Sequence, residues 1–323
     1  MNILQKLWDF NYYEISLLSI LFLMSLTTVI DTKISFQRVF SDYKQLAKVG
    51  LSLSVVFSAI AGYLLAVEII NYQVLFLLGL GGFLMVAASN AFNQIIEKDT
   101  DALMKRTMNR PLPTGRMSKT SAFIFAITLT IIGLGILYSI NSKSALFGAI
   151  SIFLYTCAYT PMKPVSPLAV FVGALPGAIP FMLGWVAATN EFGIEAGFLF
   201  MIQFFWQFPH FWSIGWLQFE EYKKAGFIML PMDKKDQSAT KQIIFYTIIM
   251  ILVSIAPVLK MTGAFYIHPI TAIIIALLGL FMLYYGILLH KKQTNIEARK
   301  LMLSSVLYIT VIQIIYVIDK FLH

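Results

Sequence analysis

Ten stretches of about 20 mostly apolar residues recur along the chain, at about 14–30, 50–69, 74–96, 120–140, 144–160, 167–187, 196–218, 242–259, 268–289 and 301–319. A helix needs about 20 such residues to cross a hydrocarbon layer, so the pattern predicts ten transmembrane helices. One run contains Gly173, Pro176, Gly177 and Pro180. Membrane helices tolerate such residues where neighbours satisfy the freed backbone groups. Short alternating segments are lacking, which argues against a β-barrel. Only 12% of the 323 residues are charged and 59% are hydrophobic, whereas a soluble domain carries about 25% charged residues. This balance excludes a soluble globular enzyme, a disordered chain and a nucleic-acid-binding domain. Cys157, the single cysteine, excludes a disulfide framework and a multi-cysteine metal site. It lies in an apolar run and reads as a packing residue.

Loop charge gives an orientation, because Lys and Arg favour the cytoplasmic side. Every second loop is basic: 31–49, 97–119, the short loop holding Lys163, 219–241 and 290–300 together hold 20 of the 24 Lys and Arg residues. The other four, Lys6, Lys143, Lys260 and Lys320, fall on the opposite side. Ten spans with both termini outside fit this partition. The first run lacks a strongly basic start and a small-residue cleavage site, so it reads as a spanning helix rather than a removed leader. His268, His290 and His323 fall near membrane ends and read as interfacial.

Two segments carry chemistry. In the first, Asn90, Asn93, Glu97 and Asp101 fall on one helical stripe that runs from lipid depth to the cytoplasmic end of a span. Glu97, Asp99 and Asp101 repel one another in a low-dielectric mouth unless cations are present. Oxygen ligands of this kind suit Mg2+ bound together with phosphate groups. Lys105, Arg106, Arg110 and Arg116 follow, and arginine can clamp phosphate oxygens through two parallel bonds. The alternative is a solvated helix end whose charges pair with one another. The second segment reads Trp206-Gln207-Phe208-Pro209-His210-Phe211-Trp212, followed by Glu220, Glu221, Tyr222, Lys223 and Lys224, then Asp233, Lys234, Lys235 and Asp236. Gln207 and His210 share a helix face. An intramembrane histidine serves as a base, a metal or porphyrin ligand, or a packing group. The topology places both acidic mouths on one face, where they could bracket one diphosphate through two metal ions.

These strings resemble the UbiA-type intramembrane prenyltransferases. Asn93-x-x-x-Glu97-x-x-x-Asp101 is similar to their Asn-x-x-x-Asp-x-x-x-Asp motif, with Glu97 in place of the first Asp. The run from Asn90 through Arg106, Arg110 and Gly115, and the run Trp206–Trp212 with Glu220–Pro231, resemble the branch that farnesylates protoheme IX. The similarity spans roughly 42–320. Glu221 stands where the family usually has Asp, and Lys48 lacks the Pro and Arg that commonly follow it. The resemblance implies an all-α polytopic membrane bundle with a nine-helix core over 42–323, plus one extra transmembrane helix in an extension at 1–41.

The resemblance also implies the reaction: farnesyl transfer from farnesyl diphosphate to a vinyl group of heme B, giving heme O and diphosphate on the route to heme A for terminal oxidases. It implies Mg2+, held by Glu97, Asp99, Asp101, Asp233 and Asp236. It implies catalytic roles for Asn90, Asn93, Arg106, Arg110 and His210. Substrate contacts would come from Lys48, Lys105, Arg116, Gln207, Glu221, Tyr222, Lys234 and Lys235. Heme B enters as a substrate rather than a cofactor. The expected partners are the bilayer, both substrates, and heme A synthase or oxidase-assembly proteins, with no nucleic acid. The expected location is the bacterial cytoplasmic (inner) membrane, with the active site facing the cytoplasm. Two rivals are a UbiA-type enzyme with another acceptor, such as a quinone precursor, and a secondary transporter. Transporters place polar groups near the midplane, whereas here the acids cluster at one face.

Overall fold

The computed structural model describes residues 36–323. Residues 36–46 are helical, and the chain divides between Gln45 and Leu46 into two units. The second unit holds nine long helices among the described residues: α1 (Val49–Ala66), α2 (Tyr72–Ile96), α3 (Lys119–Ile140), α4 (Ser142–Met162), α5 (Ala169–Thr189), α6 (Ile194–Leu217), α7 (Gln237–Ile255), α8 (Pro269–Lys292) and α9 (Asn295–Leu322). They coincide with nine of the ten apolar runs. The run at 14–30 lies outside the described residues. Eight of the nine are long and apolar enough to span a bilayer. The ninth, α6, is 24 residues long but carries Gln203, Gln207, His210 and Ser213 in its course. No strand occurs among the described residues, and the chain is an integral membrane helical bundle.

Consecutive helices pack side by side, and α9 returns to pack on both α6 and α1, which closes the ring. Between lipid-solvated helices the hydrophobic drive is weak, so close van der Waals approach and polar bonds hold the bundle. Gly62 of α1 and Gly184 of α5 show the close approach. A Cβ on Gly62 would sit 1.9 Å from the Phe181 carbonyl oxygen, and one on Gly184 would sit 2.0 Å from that of Ala59. Helix α5 is the most enclosed spanning helix and also contains Pro176 and Pro180. Pro180 has no N–H for the Pro176 carbonyl, and the Ser151 hydroxyl of α4 donates to that oxygen at 3.4 Å instead.

Polar bonds tie the interior together. Gln313 of α9 donates through Nε2 to Gln203 Oε1 at 3.1 Å and lies 3.2 Å from the Ser58 hydroxyl. Such interhelical bonds contribute roughly 0.6 kcal/mol each on average. At one end of the bundle Lys320 pairs with Glu68, and Asp319 accepts from the His268 backbone N–H and the Thr271 hydroxyl. The other end carries the charged segments 97–119, 219–236 and 291–300.

Candidate active site

Helix α2 delivers the first cluster. Its backbone ladder runs on past the last formal turn: the Glu97 N–H donates to the Asn93 carbonyl at 2.9 Å, and Asp101 to Glu97 at 2.7 Å. The stripe therefore stays in register, and Asn90, Asn93, Glu97 and Asp101 are all buried. Asn90 donates to the Ser52 hydroxyl at 3.4 Å and Asn93 to the Thr160 hydroxyl at 3.3 Å. Asp99 is off the stripe. Its side chain is 88% exposed and stands 4.0 Å from Lys119. The three carboxylates thus do not crowd one another, because helical geometry turns the middle one outward.

Each buried carboxylate has a cation. Glu97 Oε1 accepts from Lys163 Nζ at 2.6 Å, and Asp101 Oδ2 accepts from Arg110 Nη1 at 2.6 Å. Burial pushes the Asp101 carboxyl above its ordinary pKa, and Arg110 opposes the shift without cancelling it. Burial pulls the Lys163 pKa down, but Glu97, Tyr155 and Tyr222 together outweigh that pull and hold Lys163 above the usual lysine value. Lys48, at the start of α1, shares this field. Burial first, then Arg110 and Lys163, lower its pKa to about 7.

Lys163 was not among the residues singled out from sequence. The signal available was a lone basic residue in a short loop on the same side as the acidic mouth. Nor was the end of α4 foreseen. Residues Leu154–Tyr159 form a π-helical segment, a local form frequent at functional sites. It sets the Tyr155 and Tyr159 rings 5.3 Å apart, and Lys163 Nζ lies 4.6 Å from the Tyr159 ring centre.

The second rim meets the first directly. Glu221 Oε2 accepts from the Lys105 backbone N–H at 2.7 Å, while its Oε1 accepts from Lys224 at 2.7 Å. Those two bonds hold the Glu221 carboxyl below its usual pKa. The Ile228 N–H donates to the Lys163 carbonyl at 2.8 Å. Tyr222 lies against Phe227, whose ring faces Lys163. The two charged segments therefore occupy one end of the bundle and touch.

Other residues of the second rim do different work. Asp236 caps α7 by accepting from the Ala239 N–H at 2.9 Å. Asp233 and Lys234 are exposed. Lys235 bonds Asn295 Oδ1 at 3.3 Å and lies over the Trp216 and Phe219 rings. Among the described residues none of these four makes a hydrogen bond or ion pair with the first cluster. Arg116 turns back on its own loop, to the Thr114 hydroxyl and the Asn109 carbonyl, and Arg106 is exposed.

Deeper in the bundle, Gln207 Nε2 donates to the Ala174 carbonyl at 2.9 Å. Gly177 gives Gln207 its space, since a Cβ there would sit 2.1 Å from Gln207 Oε1. The His210 ring stacks on Trp206 at 4.6 Å and 16°.

The first cluster suits a hard divalent cation. Asp101 Oδ1 is buried and has no hydrogen-bond partner, and such an orphaned anionic oxygen demands a ligand. The donors on offer, Asp101 and Glu97, are the oxygen type that Mg2+ takes. Beside them Arg110, Lys163 and Lys48 supply positive charge for an anion such as diphosphate.

Comparison with known proteins agrees with this arrangement. Residues 55–310 match the UbiA prenyltransferase family. A protoheme IX farnesyltransferase from Flavobacterium psychrophilum is 59% identical over 299 residues, which cover 92% of this chain and 100% of that protein. The protein of the same name from Cytophaga hutchinsonii is 43% identical over 288 residues, 87% of this chain and 98% of that one. Among solved structures, a digeranylgeranylglyceryl phosphate synthase superposes with a TM-score of 0.73 at 21% identity, over 88% of this chain and 99% of that one. A UbiA homologue from Archaeoglobus fulgidus, bound to DMAPP and Mg2+, superposes with a TM-score of 0.60 at 17% identity, over 85% of this chain and 99% of the homologue.

Proposed function

The chain belongs to the UbiA prenyltransferase family, and from that premise we propose that it transfers a farnesyl group from farnesyl diphosphate to a vinyl group of heme B, forming heme O and releasing diphosphate. The observation that carries this reading is the pairing of two buried carboxylates with buried Lys163 and partly buried Arg110 where the charged rims meet. Its acceptor comes from the relatives' shared activity.

The chemistry assigns work to each group. The allylic C–O bond breaks, and its electron pair leaves with the diphosphate. Arg110, Lys163 and Lys48 stabilise the charge that develops there. Asp101 and Glu97 would hold a divalent metal, which when bound would supply positive charge beside the leaving diphosphate. The second rim closes on the first through Glu221 and the Lys105 N–H. The apolar bundle keeps bulk water from the farnesyl cation. Vinyl electrons capture that cation, and water then adds at the new cationic carbon and gives up a proton.

The catalytic domain in this reading spans 42–323. The charged rims face the cytoplasm of a bacterial inner membrane, where 20 of the 24 basic residues lie on the same side. Incubating the purified protein with heme B, farnesyl diphosphate and Mg2+ yields a more retained heme, heavier by one farnesyl and one hydroxyl group. Prenylation of an aromatic acid in place of heme would move the assignment to another acceptor.

A further inference from the structure

His210 is the intramembrane side chain whose two ring nitrogens have different surroundings. Its Nδ1 lies 2.8 Å from the Ser305 hydroxyl oxygen of α9. That hydroxyl also lies 2.7 Å from the Met302 carbonyl oxygen. A hydroxyl carries one proton and a carbonyl carries none to give. A 2.7 Å contact between two oxygens without a proton is repulsive, so the Ser305 proton points to Met302. Ser305 Oγ can then only accept from His210, and Nδ1 must bear the hydrogen. In a neutral imidazole that leaves Nε2 with a free lone pair.

The ring is also fixed in place. Trp206 stacks on one face, Phe211 lies edge-on at 5.6 Å, and the Trp206 indole N–H donates to the Ser305 carbonyl at 2.7 Å. One residue of α9 therefore orients both aromatic side chains of α6. Nε2 has no hydrogen-bond partner among the described residues, and the residue is only partly buried. A neutral imidazole held through Nδ1–H, with the Nε2 lone pair free, is the arrangement of metal-binding histidines.

We propose that Ser305 locks His210 as the Nδ1–H tautomer so that Nε2 ligates the iron of heme B and fixes the porphyrin for farnesylation. This rests on heme B as the acceptor. The step forms one coordinate bond from the Nε2 lone pair, releases no proton and changes no oxidation state. His210 contacts the substrate, and Ser305 is a positioning residue.

The test is spectroscopic. The full-length protein in detergent is loaded with heme B, and optical and resonance Raman spectra are recorded for wild type, His210→Ala, Ser305→Ala and Ser305→Thr. Wild type shows an iron–imidazole signature that His210→Ala loses. Ser305→Ala weakens heme binding by about tenfold, the usual effect of losing a ligand's supporting partner, and Ser305→Thr restores it. Identical heme spectra in wild type and His210→Ala overturn the proposal. Should His210→Ala fail to fold, wild type alone decides the matter: it binds heme B at least about tenfold more tightly than metal-free protoporphyrin IX, and equal affinities refute iron ligation. Wild-type turnover of heme B is scored separately. Product formed without an iron–imidazole signature sinks this inference alone, whereas no heme product sinks the function it rests on.

Discussion

Removing one partner of the Glu97–Lys163 pair tests whether the site is a desolvated electrostatic unit. The Lys163 and Glu97 side chains are 11% and 7% exposed, and their charged atoms are 2.6 Å apart. Breaking a buried pair by deleting one charge costs about 3–5 kcal/mol, because the survivor is left uncompensated. Glu97→Gln strands Lys163, and Lys163→Met strands Glu97. Each single change should lower the thermal midpoint in detergent by on the order of 10 °C. The double change Glu97→Gln/Lys163→Met removes both charges together and should return most of that loss. Turnover should be absent in all three, because the diphosphate loses a cation, the metal loses a carboxylate, or both. Tryptophan fluorescence during heating reads the midpoint, and chromatography of the heme product reads turnover. Single variants as stable as wild type would show that water screens the pair. A double variant no better than the worse single would show that the two side chains do not act on each other.

Other outcomes follow from the same geometry. Asp101→Asn should reduce turnover by at least about 1,000-fold, because it loses the buried anion and strands Arg110, whereas Asp99→Asn at its exposed position should stay within about tenfold of wild type in the same assay. Lys48 should give a pH signature. Its pKa in the folded protein is about 7, below the unfolded value, so burying its charged form opposes folding at low pH, and that penalty lifts as pH rises from about 7 toward the ordinary lysine value. A bound diphosphate favours the charged form, so the KM for farnesyl diphosphate should rise above pH 7 by up to about tenfold per pH unit. Lys48→Arg, which stays charged, should flatten that rise. Gly184→Leu should separate α1 from α5 and cause loss of folded protein in detergent, as read by size-exclusion chromatography.

The spans were legible because the lipid imposes one rule on every helix, and twenty apolar residues obey it whatever their tertiary partners. The charge alternation was legible for the same reason. The stripe Asn90–Asn93–Glu97–Asp101 also follows from the helical period, and that period turns Asp99 away from it. What the chain could not announce was pairing across distance. Lys163 stands 66 residues from Glu97, and nothing local marks it as a partner. The π-helical turn at Leu154–Tyr159 has no signal in a run that reads as ordinary apolar helix. Ser305 looks like a small packing residue until α9 closes against α6. The capping of α7 by Asp236 was not legible either, because it depends on where the helix begins.

The central claim is that the two rims close over one diphosphate whose chain lies among the helices. A structure of the protein with Mn2+ and a non-hydrolysable farnesyl diphosphate analogue tests it most directly. The account predicts metal density at Asp101 and Glu97, with the diphosphate reaching Arg110, Lys163 and Lys48 and the farnesyl chain running inward. Diphosphate bound at the opposite end of the bundle, or metal density away from both carboxylates, would contradict it.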